Sequence, residues 1–232
     1  MNKYSNILFD FDRTLWDVDT NQKNAQRFVY DKYGLFSICN DFELFYNIYL
    51  EINDRLWLEY RDGKVSREHL RNHRFVETLQ RLDNPDPALA RTLSNEYINV
   101  APSFNSTIPY SREILEYLDP KYDMHIITNG FNEVQHLKLR NCGLDVFFGE
   151  IITSEDAGAN KPHPAIFEYA MEKTGAEKHE TIVIGDDIEN DILGGMNAGI
   201  DTVYFNPHKN TDRHGIKPTY EISCLRELRD IL

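Results

Sequence analysis

Residues 6–17 read NILFDFDRTLWD: three apolar side chains, Ile7-Leu8-Phe9, run straight into Asp10, and a second carboxylate, Asp12, follows two positions later. Ile7 to Phe11 is a continuous apolar run, the pattern of a central strand buried on both faces of a parallel sheet. Such a strand needs neighbours, so the rest of the chain must supply a sheet around it. Side chains alternate along a strand, which sends Asp10 and Asp12 off on the same side, roughly 6–7 Å apart. Two carboxylates so placed repel each other unless a cation or a shared proton holds them.

The neighbours come late. From about residue 20 to 103 every long segment has helical period and none reads as a buried strand. DFELFYNIYLEINDRLWLEYRDG carries Phe42, Phe45, Tyr46, Tyr49, Leu56, Trp57 and Tyr60 at close to 3.6-residue spacing, most simply the core of a helical unit. SREHLRNHRFVETLQRL and DPALARTLSNEYINV follow, opened by Ser66 and Asp86 as N-caps. After Pro109 the pattern changes. Segments 122–130, 149–154, 181–187 and 201–206 read as short buried strands. Between them lie helices over 132–142, 164–174 and 189–198, ended by Gly143, Gly175 and Gly199 as left-handed C-terminal caps. Strand–helix alternation predicts an α/β fold, a doubly wound, Rossmann-like parallel sheet. The helical block is then an insertion after the first strand: a core of 1–16 plus 104–232, and an all-helical cap of 17–103. Ligands of such sheets bind at the carboxyl ends of the strands.

Composition narrows the function. A net charge of −13 argues against broad nucleic-acid binding, and any phosphate ligand would need local positive charge or a metal. Cys39, Cys142 and Cys224 are odd in number and in no CxxC pair, so they read as reduced thiols. No stretch approaches a membrane span and the start lacks a long apolar leader core, which predicts a cytoplasmic protein.

The chemistry-bearing residues sit where strands end. Asp10 and Asp12 follow the first strand; Thr128, Asn129 and Gly130 follow the second. Lys161 lies in the loop beyond IITSEDAGAN, and Asp186, Asp187 and Asp191 follow TIVIG. Four separated segments thus deliver carboxylates, a hydroxyl and an amine to one edge of one sheet. An EF-hand reading of DFDRT fails because Leu15 stands where that loop needs Gly and a strand precedes it. A receiver domain would place its acidic pair first and its phosphoacceptor later, with no helical insert. His69 and His73 have i, i+4 metal spacing but no third ligand, and read as a solvated helix face. For Asp187, helix capping stands beside a role in the site.

At DFDRT (10–14), TNG (128–130), Lys161 in NKPHP and GDDIEND (185–191), the chain resembles the haloacid dehalogenase superfamily, whose four motifs it carries in order. IITNGFNEVQHLKLRNCGL, KPHPAIFEYAMEKTG and DILGGMNAGIDTVYFNP further resemble the YjjG/YfnB-type pyrimidine 5′-nucleotidases of that superfamily. The resemblance implies a phosphomonoesterase acting on a small phosphorylated metabolite, a nucleoside monophosphate, as a monomer or homodimer. It implies Asp10 as nucleophile, Asp12 as general acid and base, and Lys161 as the cation neutralising both nucleophile and phosphate. Thr128, Asn129 and Gly130 would bind phosphoryl oxygens. Mg²⁺ would be held by Asp10, the backbone carbonyl of Asp12 and Asp186, with Asp191 completing the acidic set. A phosphosugar phosphatase or mutase uses the same residues, and a catalytically silent binding module shares the fold. The second Asp argues against a true dehalogenase, since halide departure needs no proton.

Overall fold

The computed structural model describes residues 3–211 and 215–232. The expected core segments include residues 1, 2 and 212–214, which lie outside the described residues. Contacts divide the chain into two compact units, Met1–Val18 with Asn105–Leu232 and, separately, Asp19–Phe104.

The first unit is built on a six-stranded sheet: β1 (Asn6–Phe9), β2 (Asp123–Thr128), β3 (Ile151–Thr153), β4 (Thr181–Gly185), β5 (Asp201–Phe205) and β6 (Tyr220–Ile222), in the order β3-β2-β1-β4-β5-β6. Every pairing is parallel, with Phe9 opposite both Ile126 and Ile184. The α/β, doubly wound expectation holds. The chain moves outward one way through β2 and β3, then returns to β1's other side with β4. The strand order therefore reverses between β1 and β4, the position where open α/β sheets bind ligands. The first strand is shorter than its apolar run suggests: pairing stops at Phe9, so Asp12 stands in a loop rather than on a strand face.

Both faces of the sheet are covered, which is why its strands are apolar throughout. Ile7, Phe9, Ile126, Ile182, Ile184 and Val203 lie in one cluster with Ile114, Leu115 and Leu118 of a helix over Ser111–Leu118 and with Leu139 of another over Asn132–Cys142. Leu8, Ile127 and Val183 face the opposite way, onto Ile166, Phe167 and Ala170 of the helix Pro164–Thr174. Each such fully buried side chain contributes about 1.5–3 kcal/mol.

The second unit is helical. In chain order the helices of the protein are α1 (Val18–Lys32), α2 (Phe42–Arg61), α3 (Arg67–Arg81), α4 (Pro87–Val100), α5 (Ser111–Leu118), α6 (Asn132–Cys142), the single turn α7 (Ser154–Ala157), α8 (Pro164–Thr174) and the short α9 (Gly194–Asn197). Ser66 and Asp86 cap α3 and α4 through the backbone amides of His69, Ala88 and Leu89. The aromatic stripe of α2 is core: Phe42, Phe45, Tyr46 and Tyr49 are buried with Tyr30, Phe75 and Tyr97, and Tyr49 packs 5.1 Å from Phe75, ring to ring. Trp57 and Tyr60 are only half-buried and pack on each other. His69 and His73 stack at 3.7 Å, and no third metal ligand joins them among the described residues.

Candidate active site

The carboxyl ends of β1, β2 and β4 bring most of the sequence-predicted residues together. Asp10 stays hydrogen-bonded to the sheet through its amide on the Ile184 carbonyl, 2.8 Å, and its side chain is 9% exposed. Lys161, 2% exposed, donates to Asp10 Oδ1 at 2.7 Å, to Asp191 Oδ1 at 2.6 Å and to the Ile127 carbonyl at 2.9 Å. Its three protons are thereby all used. Asn129 holds the loop that carries this lysine: its amide donates to the Lys161 carbonyl at 3.0 Å, and its Oδ1 accepts from the Lys161 N–H at 2.7 Å. Its side chain thus serves the lysine loop.

Asp186, half-buried, is linked to Asp10 through Thr14, whose hydroxyl lies 3.1 Å from Asp186 Oδ1 and 3.1 Å from Asp10 Oδ2. Asp191, which β4 delivers from a π-helical turn over Ile188–Leu193, accepts from the Asp187 amide at 3.0 Å. It can approach because residue 185 is glycine: a Cβ there would lie 2.2 Å from Asp191 Oδ2. Asp187 caps the turn, accepting from the amides of Glu189 and Asn190 at 3.0 and 2.9 Å. His163 caps α8 in the same way, through the Ala165 amide. Arg13 is exposed and sits in the left-handed region, φ 66°.

Asp10, Asp186 and Asp191 each place an oxygen within 4.8 Å of one another. Burial is the main force on all three: it pushes Asp10 up to about 7, opposed by Lys161 and reinforced by Asp191. Asp186 is driven well above the usual carboxylate range by burial and by the charges of Asp10 and Asp191. Asp191 is raised by burial, against the pull of Lys161. Burial alone would lower Lys161, but Asp10 and Asp191 outweigh it and hold the ammonium above its ordinary range. One ammonium among three acids leaves the cluster short of positive charge, and an all-oxygen donor set of this kind suits a hard divalent cation such as Mg²⁺.

Thr128, 1% exposed, accepts at Oγ1 from the Gly130 amide, 3.1 Å, and from Gln135 Nε2, 2.8 Å, so its own O–H is left to donate. Asp12 stands apart from the acidic cluster: Lys138 Nζ donates to Oδ1 at 2.7 Å and Gln135 Nε2 to Oδ2 at 2.8 Å. The sequence reading passed over Thr14, Gln135 and Lys138. Trp16 is 3% exposed; its ring lies on Phe11 and under the Lys138 ammonium, 4.0 Å from the centroid.

Comparison with known proteins identifies the family. Residues 7–205 match the family model of haloacid dehalogenase-like hydrolases. The chain is 33% identical over 231 residues to pyrimidine 5′-nucleotidase YjjG of Escherichia coli, covering 99% of this chain and 98% of that one. It is 29% identical to pyrimidine 5′-nucleotidase PynA of Streptococcus pneumoniae, over 99% and 95%. Among solved structures, the magnesium-bound HAD-hydrolase YfnB of Bacillus subtilis superposes with a TM-score of 0.88 at 31% identity, covering 100% of this chain and 99% of that one. No helix among the described residues is long and apolar enough to cross a membrane. In fold, in motif order and over nearly its whole length, this chain belongs to the haloacid dehalogenase-like hydrolases.

Proposed function

We propose that the chain is a Mg²⁺-dependent phosphomonoesterase that works through an aspartyl-phosphate on Asp10, with pyrimidine nucleoside 5′-monophosphates as substrates. One observation carries the chemistry: Lys161 joins Asp10 to Asp191 beside Asp186 at the sheet's switch point, while a separate acid, Asp12, stands two residues from Asp10. The substrate class rests on the two relatives named for that activity. Asp10, Asp186 and the backbone carbonyl of Asp12 would hold Mg²⁺, with Asp191 beside them, and the ion supplies charge that offsets repulsion between carboxylate and phosphate.

In the first step an Asp10 oxygen bonds to phosphorus, the ester P–O bond breaks, and Asp12 gives the departing alkoxide its proton. Thr128 donates its hydroxyl hydrogen to a phosphoryl oxygen, and the backbone amide of Asn129, near the start of α6, does the same, while the Gly130 amide holds the Thr128 oxygen from behind. Lys161 holds the Asp10 carboxylate from one oxygen and offsets charge that builds on the phosphoryl group. Water then attacks phosphorus, Asp12 takes the water's proton, and inorganic phosphate leaves with Asp10 restored. Asp12 fits phosphoryl transfer better than dehalogenation, which has no use for it. The helical unit Asp19–Phe104 is the cap of this reading, and a cap that closes a site favours small substrates over phosphoproteins.

The test is phosphate release from nucleoside monophosphates, sugar phosphates and p-nitrophenyl phosphate, with Mg²⁺ or with EDTA, beside Asp10→Asn. Metal-dependent turnover led by pyrimidine monophosphates and lost in Asp10→Asn is expected. Activity led by sugar phosphates keeps the chemistry and sinks the nucleotide assignment. An absence of phosphate from every ester sinks both.

A further inference from the structure

We propose that Lys138 and Gln135 of α6 are positioning residues that aim the Asp12 carboxyl for proton transfer to the leaving group. The inference rests on the phosphomonoesterase reading and extends it to residues outside the four motifs.

Asp12 sits past the end of β1, its side chain 30% exposed, where a free carboxylate would sample several rotamers. It is not free. Lys138 and Gln135 take one oxygen each, at 2.7 and 2.8 Å, which fixes both χ angles of the acid. The tether is itself tightly held. The Lys138 side chain is only 11% exposed, unusual for a lysine, and its ammonium rests on the buried ring of Trp16. Trp16 belongs to the loop that carries Asp12, and its backbone bridges to that residue. Gln135 is fully buried, and both hydrogens of its Nε2 are used, one on Asp12 and one on Thr128 Oγ1, 2.8 Å away. It therefore locks the proton donor to the hydroxyl proposed to grip the phosphoryl group.

Two further features show that the fold is arranged around this contact. α6 leaves Leu137 44% exposed while burying Gln135 completely, the reverse of what hydropathy dictates. Gly130 is the residue that lets Gln135 through: a Cβ there would stand 1.9 Å from Gln135 Nε2 and 2.5 Å from its Cδ. A general acid must lie within hydrogen-bond reach of the oxygen it protonates, so fixing its direction bears directly on rate.

The experiment compares kcat/KM, which reports steps through leaving-group departure, on two kinds of ester with Mg²⁺ present. p-Nitrophenolate departs without a proton; the alkoxides of uridine 5′-monophosphate and ribose 5-phosphate need one. Wild type, Asp12→Asn, Lys138→Met, Lys138→Arg and Gln135→Met are assayed on both. Lys138→Met and Gln135→Met are expected to lose about ten- to a hundred-fold on the alkyl esters and less than about three-fold on p-nitrophenyl phosphate, a share of what general acid catalysis provides. Lys138→Arg is expected to recover part of the loss. An equal fall on both kinds of ester overturns the proposal, because it marks a structural or phosphate-binding role. A rise on the alkyl esters overturns it too, because the contacts would then park the acid rather than aim it. Selective loss in Asp12→Asn without it in Lys138→Met or Gln135→Met refutes the positioning role alone. A wild type inert on every ester refutes the phosphomonoesterase reading instead.

Discussion

Replacing Gly130 with Ala will destabilise the protein through one neighbour, Gln135. Gly130 does not occupy the left-handed region, so the backbone itself tolerates alanine. The conflict is with the Gln135 side chain, whose Nε2, Cδ and Cγ would lie 1.9, 2.5 and 2.9 Å from the new methyl. Contacts that short cannot persist, and the amide must leave. It then loses its buried hydrogen bond to Thr128, about 1 kcal/mol, and its bond to Asp12, discounted to about 1 kcal/mol because that carboxylate is partly exposed. An amide still buried without those partners adds about 1 kcal/mol more, for about 2–4 kcal/mol in all. Urea unfolding of wild type, Gly130→Ala, Gln135→Ala and the double variant measures it. Gln135→Ala removes the obstructing atoms, so adding Gly130→Ala to it should cost less than about 0.5 kcal/mol, and the pair should be strongly non-additive. Additive costs, or a Gly130→Ala protein as stable as wild type, would refute the steric argument. A Gly130 that serves phosphate binding alone would instead raise KM and leave the unfolding curve in place.

Lys161→Met should abolish turnover and cost about 3–5 kcal/mol at neutral pH, since Asp10 and Asp191 would keep their burial and lose their shared cation; a variant as stable as wild type in urea would contradict this. His125 is buried, accepts from the Glu150 amide at 3.1 Å, and is held below its ordinary value by burial, against the pull of Asp123 and Glu150. Its stabilising effect is therefore present above the unfolded value of about 6.5 and lost as pH falls below it. Melting temperature should fall less steeply between pH 7.5 and 5.5 in His125→Gln than in wild type, and identical slopes would sink the assignment. Asp187→Ala should cost about 1 kcal/mol as a lost cap, with Asp187→Ser recovering most of it in thermal unfolding.

What the sequence disclosed follows from where its signals are strong. β1, β2 and β4 are apolar runs closed by Asp, Thr or Gly, and α6 and α8 end on Gly143 and Gly175 in the left-handed region, so their positions could be read directly. Asp10 and Asp186 were legible for the same reason, because each directly follows such a strand, whereas Lys161 and Asp191 stood out only by their order among the four motifs. β6 was not: Tyr220–Ile222 is three residues at a sheet edge with only Ile222 buried, too short for any period. α1 was read only as part of the helical block and not delimited, because its inward face is partly polar, with Asn21, Gln22 and Gln26 buried beside Ala25 and Val29. The segment read as a helix over 189–198 is a π-helical turn followed by a short α-helix, and the wide turn is what brings Asp191 back toward β4. Gln135 and Lys138 look like a solvated helix face because hydropathy assigns Leu137 to the interior. A signal was present all the same: α6 starts just beyond Thr128, so polar residues in its first two turns stand near the strand ends.

The sheet order also sets a timetable for synthesis. β1 precedes every other element described, yet its partners Asp123–Thr128 and Thr181–Gly185 lie more than a hundred residues downstream. At about 5–20 residues per second the ribosome needs on the order of ten seconds to deliver the first of them. The helical unit Asp19–Phe104 is complete well before that and folds from local contacts, which form fastest. Through that interval Ile7, Leu8 and Phe9 have no sheet to join, a sticky segment that a nascent-chain chaperone would hold. A chain halted anywhere before Asp191 lacks part of the acidic cluster, so the proposed turnover requires translation past that residue.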